Sequence, residues 1–310
     1  MPDVCAPVRP ILKWAGGKRQ LLPELRPFYP RRFNRYFEPF LGSGAVFLDL
    51  HNAGLLGHAE VRLSDINADV IGCYRAVRDS PDAVIQTLRT LERGYQTDGA
   101  AHYYEVRDRL FNPARRAIQA SGDPDGGYTP SLAAMLIFLN RTGYNGLFRV
   151  NARGAFNVPA GRYGNPTICD EANLRAWSAA LARPRITLGV SAFDTALAGA
   201  GQDDFVYLDP PYAPLNGTAR FTSYTASGFD AVQQERLQRT VIALAARRAS
   251  VLLSNSAAPL IRALYAGRGA ARRAGLRATT VAARRAINSR AANRGPVREY
   301  VITNVRRSPV

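Results

Sequence analysis

Short apolar runs alternate with helical patterns over much of this chain, and this alternation limits the folds open to it. Six runs have the length and residue types of buried strands: residues 36–40, 61–66, 186–193, 204–209, 251–254 and 300–305. Helical periodicity marks residues 44–53, 68–77 and 229–248. Apolar strands that alternate with helices form mostly parallel sheets covered on both faces. The sequence therefore predicts an α/β fold.

Between residues 68 and 169 the alternation breaks, and the chain becomes helical and polar. A loop, SGDPDGGYTP, occupies residues 121–130; two short segments, LFRVN and AFNVP, follow it with ARG between them. Gly154 lies near that turn, and the pattern is typical of a β-hairpin. We therefore expect a core domain of residues 1–67 and 170–310, with residues 68–169 inserted as a helical module with a hairpin.

The formal net charge is +17, and the arginines are unevenly spread. From Val241 to the end there are fourteen arginines and one acidic residue, Glu299. Such an excess suits a polyanionic partner, because each phosphate that is neutralised releases counterions. The alternative is an arginine-biased composition with a solvated basic face.

Composition also argues against several classes of protein. No apolar run is long enough to span a membrane, and residues 1–10 lack the apolar core of a secretory signal, so a cytoplasmic protein is expected. The cysteines at positions 5, 73 and 169 are odd in number and far apart, which argues against a disulfide framework. With the three histidines they show no metal-ligand spacing, and we expect no metal site.

Lysine occurs only at positions 13 and 18, within the motif KWAGGK, against 39 arginines elsewhere. An ammonium is compact and rotatable whereas a guanidinium is a planar fork, so the exception indicates a chemical requirement here. Trp14 offers a flat surface, and Lys18 offers a cation for a cofactor carboxylate. A core tryptophan beside a turn is the alternative, but it does not explain the paired lysines.

The motif FEPFLGSG, residues 37–44, predicts a strand that enters a glycine turn and then a helix. Glycines there let the backbone approach a ligand at the carboxyl end of the first strand, where open α/β sheets bind cofactors. The dinucleotide fingerprint's third glycine is missing, which disfavours NAD, and a simple tight turn is the alternative. At the end of the next strand, Asp65 could accept hydrogen bonds from ribose hydroxyls or could cap the following helix.

The motif DPPY, residues 209–212, directly follows the apolar run FVYL. Two prolines end the strand and fix a rigid, extended turn. Asp209 and the Pro210 carbonyl could each accept one N–H of an amine on a planar base, with Tyr212 stacked on the ring. These acceptors draw the nitrogen lone pair out of conjugation, and the carboxylate stabilises positive charge on nitrogen during attack on a sulfonium methyl. The alternative is an ordinary turn with a capping aspartate.

The segment NRTGYNGLFR, residues 140–149, interleaves asparagine, arginine and tyrosine on the predicted hairpin. Arg149 could bind a guanine edge through two hydrogen bonds, and Asn145 or Tyr144 could contact phosphate or fill the space left by an extruded base. Each residue alone is more often an ordinary surface residue. Their density favours a base-reading element.

Together, KWAGGK, FEPFLGSG, LSDIN, NRTGYNGLFR with FNVP, and DPPYAPL resemble the Dam family of adenine-N6 DNA methyltransferases, of the D12 class. The resemblance runs from residue 12 to residue 305 in the family's order. It implies a Rossmann-like S-adenosyl-L-methionine-dependent methyltransferase sheet with an inserted helical target-recognition domain and β-hairpin. The implied reaction is methyl transfer to N6 of an adenine flipped out of duplex DNA, usually in GATC. We expect a monomer.

The resemblance also implies roles for individual residues. The amine-activating residues would be Asp209, Pro210 and Tyr212. The cofactor-binding residues would be Trp14, Lys18, Phe40, Gly42, Gly44, Asp65 and Asp209. The residues facing DNA would be Lys13, Tyr144, Asn145, Leu147, Arg149 and Pro159.

One segment departs from the family pattern: ARRAINSRAANRGPVREY, residues 283–300, is unusually rich in arginine. Two other functions remain compatible with the motifs. RNA or a free base could be the methyl acceptor, because such a proline-rich turn serves several planar amines. A DNA-binding regulator with an inactive methyltransferase fold is the non-enzymatic alternative, since fold alone does not fix activity. The hairpin favours duplex DNA, and the intact pocket residues favour an enzyme.

Overall fold

A computed structural model of the chain describes residues 6–14, 16, 18–122, 127–215, 229–284 and 296–307. Cys5, two residues of KWAGGK, part of the predicted loop at 121–130 and most of the arginine-rich segment lie outside these residues. The described chain is a mixed α/β structure with one seven-stranded sheet, so the predicted fold class is confirmed.

Six of the seven strands in the described sheet occur at the predicted places with shifted ends. They are β1 Arg35–Glu38, β2 Glu60–Asp65, β3 Ile186–Val190, β4 Asp204–Leu208, β5 Ser250–Ser256, β6 Arg277–Arg284 and β7 Pro296–Thr303. Their order in the sheet is β3-β2-β1-β4-β5-β7-β6. β1 pairs in parallel with β2 and β4, and β4 with β5, whereas β7 is antiparallel to both β5 and β6. The sequence did not predict β6, because RATTVAAR carries no apolar run.

The helices in the described residues are short to medium in length. They are α1 Leu22–Leu25, α2 Ala45–Asn52, α3 Ala68–Asp79, α4 Pro81–Asp98, α5 Ala100–Glu105, α6 Asn112–Ala120, α7 Pro130–Thr142, α8 Glu171–Leu181, α9 Phe193–Ala196, α10 Ala231–Ala246, α11 Pro259–Ile261 and α12 Ala270–Arg273. Side-chain oxygens cap several amino termini: Asn67 accepts from Asp69 N, and Asp230 accepts from Gln233 N.

The chain forms two compact units, each assembled from separate segments of the sequence. The first comprises residues 1–17, 42–54 and 67–190. Its core is aromatic: Trp177 stacks on Tyr74 at 4.8 Å between ring centroids, and Phe47 packs against Trp177. Helix α7 packs against α3 and α4.

The second unit comprises residues 18–41, 55–66 and 191–310. Every residue of β4 is buried, as expected for a central strand with both faces covered. On one side, Val206 and Leu208 join an apolar cluster with Leu237 and Val241 of α10. This packing fixes the carboxyl end of β4, where DPPY begins.

The predicted hairpin is held by two isolated antiparallel bridges. Val150 pairs with Phe156, and Gly143 pairs with Ala160. LFRVN and AFNVP pair through the Val150–Phe156 bridge and form no longer strands, and the 3₁₀ turn Tyr144–Gly146 directly precedes LFRVN. Gly154 has φ 75°, which suits its place at the predicted turn.

Candidate active site

The DPPY turn is held from outside by polar side chains of α10 and β5. Gln234 Nε2 donates to the Pro211 carbonyl at 2.9 Å, and Ala213 N donates to Asn255 Oδ1 at 3.3 Å. Ser256 Oγ donates to the Ala213 carbonyl at 2.6 Å. In the described part of the chain, no donor binds the Pro210 carbonyl. The turn is therefore rigid, and it leaves that carbonyl open as an acceptor.

Asp209 lies at the carboxyl end of β4 and forms a charge pair with Lys18. Lys18 Nζ lies 2.8 Å from Asp209 Oδ1, and only 6% of the lysine side chain is exposed, against 20% for Asp209. Ser254 Oγ donates to the same carboxylate oxygen at 3.0 Å. Burial raises the pKa of Asp209 above its ordinary value, and the Lys18 ammonium and Ser254 hydroxyl oppose that rise. Both of these contacts are made to Oδ1, and Oδ2 takes part in neither.

The phenol of Tyr207 supports Asp209 indirectly, through the hydroxyl of Ser254. Tyr207 and Ser254 lie 3.2 Å apart, oxygen to oxygen. Since Ser254 gives its proton to Asp209, the Tyr207 hydroxyl is the donor to Ser254. Burial raises the pKa of Tyr207 well above its ordinary value, so this phenol stays protonated. The chain of donors therefore ends at the Asp209 carboxylate.

Tyr212 is positioned at its ring face and at its hydroxyl. Lys18 Nζ lies 4.5 Å from the ring centroid, within the range of a cation–π contact. The hydroxyl donates to Glu299 Oε2 at 2.7 Å. Lys18 thus contacts both Asp209 and Tyr212, and the structure brings these three predicted residues together.

This arrangement is suited to a planar amine. Asp209 Oδ2 and the Pro210 carbonyl are two acceptors on adjacent residues, and Tyr212 supplies an aromatic ring beside them. A carboxylate in a partly buried site stabilises positive charge on a nearby nitrogen more strongly than it would in water.

Two more predicted cofactor residues, Phe40 and Asp65, follow β1 and end β2 in the same unit. Phe40 is half-buried and stacks on Phe193 at 5.6 Å, with Phe229 edge-on at 5.8 Å. Asp65 is half-buried, and its carbonyl accepts from Ser191 N at 3.1 Å. Helix α3 is capped by Asn67, so the alternative role of Asp65 as its cap is wrong.

The glycine turn after β1 lies under the ring of Trp14 in the first unit. Gly42 and Gly44 have φ 46° and 65°, values that favour glycine. A Cβ on Gly42 would lie 2.7 Å from Trp14 Cδ1, and the Gly42 carbonyl accepts from Tyr74 at 2.7 Å. Trp14 is half-buried and stacks on Phe148 at 5.8 Å. The close approach of backbone to indole explains the need for glycine at residue 42.

Among the residues predicted to face DNA, Lys13 is tied to the turn of the hairpin. Lys13 N donates to Asn140 Oδ1 at 2.6 Å, and Asn140 Nδ2 donates to the Gly146 carbonyl at 2.9 Å. Burial, with Arg141 nearby, lowers the pKa of Lys13. Asn145 adopts φ 55°, and Tyr144 beside it is 44% exposed. The turn therefore presents a tyrosine and an asparagine at the surface.

Arg149 is exposed and is held by its own hairpin. Its Nε donates to Asn157 Oδ1 at 2.8 Å, and its Nη2 donates to the Asn157 carbonyl at 3.2 Å. Leu147 is half-buried, and Pro159 is exposed while its carbonyl accepts from Tyr144 N at 2.9 Å. These contacts fix Arg149 before any ligand binds.

A family model described as D12 class N6 adenine-specific DNA methyltransferase matches residues 14–279. The chain belongs to this family. The resemblance drawn from the motifs is thereby confirmed.

Several relatives resemble this methyltransferase over most of their length. It is 35% identical over 297 residues to the Type II methyltransferase M1.LlaDCHI of Lactococcus lactis subsp. cremoris, covering 96% of this chain and 95% of that protein. It is 36% identical over 297 residues to the DNA adenine methylase of Escherichia coli strain K12, covering 94% of each. It is 39% identical over 258 residues to the Type II methyltransferase M.MjaIII of Methanocaldococcus jannaschii, covering 80% and 84%. The protein is therefore an adenine-specific DNA methyltransferase, and its family generally uses S-adenosylmethionine.

Sequence reasoning missed several residues that shape the methyltransferase site. They are Tyr207, Gln234, Ser254, Asn255, Ser256 and Glu299. One signal was available for β5: the apolar run VLL continues into SNS, which puts polar groups at the carboxyl end of a central strand.

The described part of the methyltransferase contains no group of three or more His, Cys, Asp and Glu side chains placed to bind a metal ion. Within the same residues, none of the helices combines the length and apolar character needed to cross a membrane.

Proposed function

We propose that this enzyme methylates N6 of an adenine flipped out of duplex DNA, within GATC, and that S-adenosyl-L-methionine is its methyl donor. The observation that supports this most is the pair of open acceptors, Asp209 Oδ2 and the Pro210 carbonyl, beside the ring of Tyr212. An adenine amine has two N–H groups, so it satisfies both acceptors while its ring stacks on the tyrosine.

Asp209 and Pro210 act on the amine through geometry and charge. When both N–H groups point at the two acceptors, the nitrogen lone pair leaves the plane of the purine and becomes available for attack. The Asp209 carboxylate stabilises the positive charge that develops on nitrogen. The Ser254 hydroxyl and Lys18 ammonium hold this carboxylate through its other oxygen, so its orientation is set before the base arrives.

The residues of the second unit fit the proposed methyl donor by their chemistry. Lys18 is a cation that suits the donor's carboxylate, Asp65 is a carboxylate that suits ribose hydroxyls, and Phe40 adds an aromatic surface. When bound, S-adenosylmethionine supplies a methyl group activated by a sulfonium centre. Trp14, Gly42 and Gly44 of the first unit are proposed for the same cofactor on their sequence motifs.

Base flipping is proposed because the enzyme must reach N6 of the target adenine. N6 of a paired adenine is engaged within the duplex, so an enzyme of this kind extrudes the nucleotide into its pocket. We propose that residues 68–169 form the target-recognition domain and that residues 1–67 and 170–310 form the catalytic domain, acting as a monomer. The residues proposed to face DNA are Lys13, Tyr144, Asn145, Leu147, Arg149 and Pro159.

The test is transfer of labelled methyl from S-adenosylmethionine to single-stranded RNA and to three sets of duplex oligonucleotides: GATC, permutations of GATC, and duplexes without adenine. Label confined to GATC supports the whole proposal. Label on adenines in other sequence contexts supports the proposed reaction but indicates that the hairpin recognises a sequence other than GATC. Label on single-stranded RNA and on none of the duplexes at low salt would overturn the choice of DNA.

A further inference from the structure

Glu299 is an isolated acid in the most basic part of the chain. It is the single acidic residue from Val241 to the end, among fourteen arginines. It lies on β7, opposite Ser256 of β5 in the antiparallel register. Across the described residues it forms no ion pair with lysine or arginine within 4 Å. Within this described part of the chain, its charge therefore balances no neighbouring arginine.

The partner of Glu299 is the hydroxyl of Tyr212, at 2.7 Å from Oε2. Burial raises the pKa of Tyr212 well above its ordinary value, and the nearby carboxylates of Asp209 and Glu299 raise it further. The phenol thus remains protonated and donates to the carboxylate. A hydrogen bond to a charged acceptor is stronger than a neutral one, so this contact restrains the ring effectively.

The contact completes the restraint of Tyr212. Its backbone belongs to the proline turn, Lys18 Nζ lies against the ring at 4.5 Å, and Glu299 fixes the far end of the side chain. Without Glu299, the hydroxyl of Tyr212 would lose the hydrogen bond that anchors the far end of the ring. An aromatic platform is useful only if its plane is fixed relative to the acceptors, because stacking and amine alignment must be satisfied together.

We propose that Glu299 is a positioning residue for methyl transfer, which acts through the Tyr212 hydroxyl to fix the ring on which the target base stacks. This inference rests on the proposed function. A structural role in β7 would require no charge, since a threonine or valine suits a strand better. The Glu299 carboxylate lies within hydrogen-bonding distance of Tyr212, the tyrosine of the DPPY turn.

A double-mutant cycle tests whether Glu299 acts through the hydroxyl of Tyr212. Glu299→Ala and Tyr212→Phe each remove one end of the hydrogen bond, and the double variant removes both. We expect each single variant to lower kcat about ten- to a hundredfold, the effect of losing a hydrogen bond to a charged group. The double variant should be no worse than the more impaired single variant, since both act on the same contact. Glu299→Gln, which keeps an acceptor of the same shape, should restore much of the loss.

A spectroscopic readout separates positioning from general damage. With 2-aminopurine at the target position, flipping into the pocket raises fluorescence, and stacking on a fixed Tyr212 ring quenches part of that signal. We expect Glu299→Ala to bind DNA with an unchanged Kd but to give a brighter, less stacked base. Thr280→Ala, at an exposed position on the adjacent strand β6, is the control and should leave kcat and fluorescence unchanged.

Three results would overturn the inference: unchanged kcat in Glu299→Ala, losses that add fully in the double variant, or a Glu299→Gln variant as poor as alanine. If Glu299→Ala does not fold, Glu299→Met takes its place in the cycle with Tyr212→Phe, because methionine keeps the length of the side chain but is only a weak acceptor. A wild-type enzyme without activity on any adenine duplex would refute the proposed function instead. If the wild type is active but the cycle gives one of these three results, only the role of Glu299 is refuted, and the proposed function stands.

Discussion

The side chain of Asn112 pairs with the backbone of Phe156 as a neighbouring strand would. Asn112 Nδ2 donates to the Phe156 carbonyl at 3.0 Å, and Phe156 N donates to Asn112 Oδ1 at 2.8 Å. Arg115, one turn later on α6, pairs with Asp69 at 2.7 Å and donates to the Gly154 carbonyl. The hairpin has bridges in place of strands, so these side chains supply the contacts that a longer ladder would provide.

Asn112→Ala should destabilise the hairpin and reduce the sequence discrimination of the enzyme on DNA. The substitution leaves a buried N–H and carbonyl of Phe156 without partners, at a cost of about 1–3 kcal/mol each. Asn157, which holds Arg149, is the next residue, so its position should loosen as well. We expect a lower Tm and reduced discrimination between cognate and altered duplexes. Gln119→Ala, exposed on the same helix, should change neither; equal effects in both variants would contradict this account.

Gly42→Ala should weaken cofactor binding through Trp14. The new Cβ would lie 2.7 Å from Trp14 Cδ1, at a residue whose φ of 46° already disfavours alanine. The matched control is Gly54→Ala, since Gly54 has φ 68° and nothing lies within 4 Å of the Cβ position. Both variants should lose about 1–2 kcal/mol of stability from backbone strain. Only Gly42→Ala should raise the KM for S-adenosylmethionine, and an equal KM in both would remove Trp14 from the cofactor site.

Arg149→Ala should relax selectivity at one flanking base pair. A bidentate contact between arginine and guanine contributes about 1–3 kcal/mol of discrimination against the wrong base. The measurement is kcat/KM on duplexes that differ at each position around the target adenine. Arg153→Ala, at the exposed tip of the same hairpin, should leave selectivity unchanged. If Arg149→Ala weakens binding uniformly, Arg149 contacts phosphate only.

The rate should fall on acidification at a pH set by Asp209. Methyl transfer needs the ionised carboxylate, and burial raises the pKa of Asp209 above the ordinary 3.8, so the acid limb lies above that value. Lys18 lowers this pKa; Lys18→Met should therefore raise it further and shift the acid limb of kcat to higher pH. Ser254→Ala should shift it the same way by less. The profile is measured at saturating S-adenosylmethionine; a shift to lower pH in Lys18→Met would contradict the assignment.

The core of the site could be predicted from sequence because its signals are local. FVYL followed by two prolines specifies a buried strand and a rigid turn, so the place of Asp209 follows from neighbouring residues. The glycines at 42 and 44 are likewise read from one short motif.

The partners of these residues could not be predicted, because they come from distant segments. Ser254 is 45 positions from Asp209, and Glu299 is 87 positions from Tyr212. Strand order places β5 beside β4 and β7 beside β5, and a single sequence does not show that order. The predicted hairpin pairs through bridges and not through long strands, and part of its support comes from Asn112, which lies 44 positions from Phe156.

The central claim is that Asp209 activates an adenine amine, and product analysis of Asp209→Ala tests it most directly. Wild-type and variant enzymes would be incubated with S-adenosylmethionine and a GATC duplex, and the DNA digested to nucleosides for mass spectrometry. We expect N6-methyldeoxyadenosine from the wild type and none from the variant, with DNA binding largely retained. N6-methyldeoxyadenosine formed by Asp209→Ala at a rate near that of the wild type would contradict it.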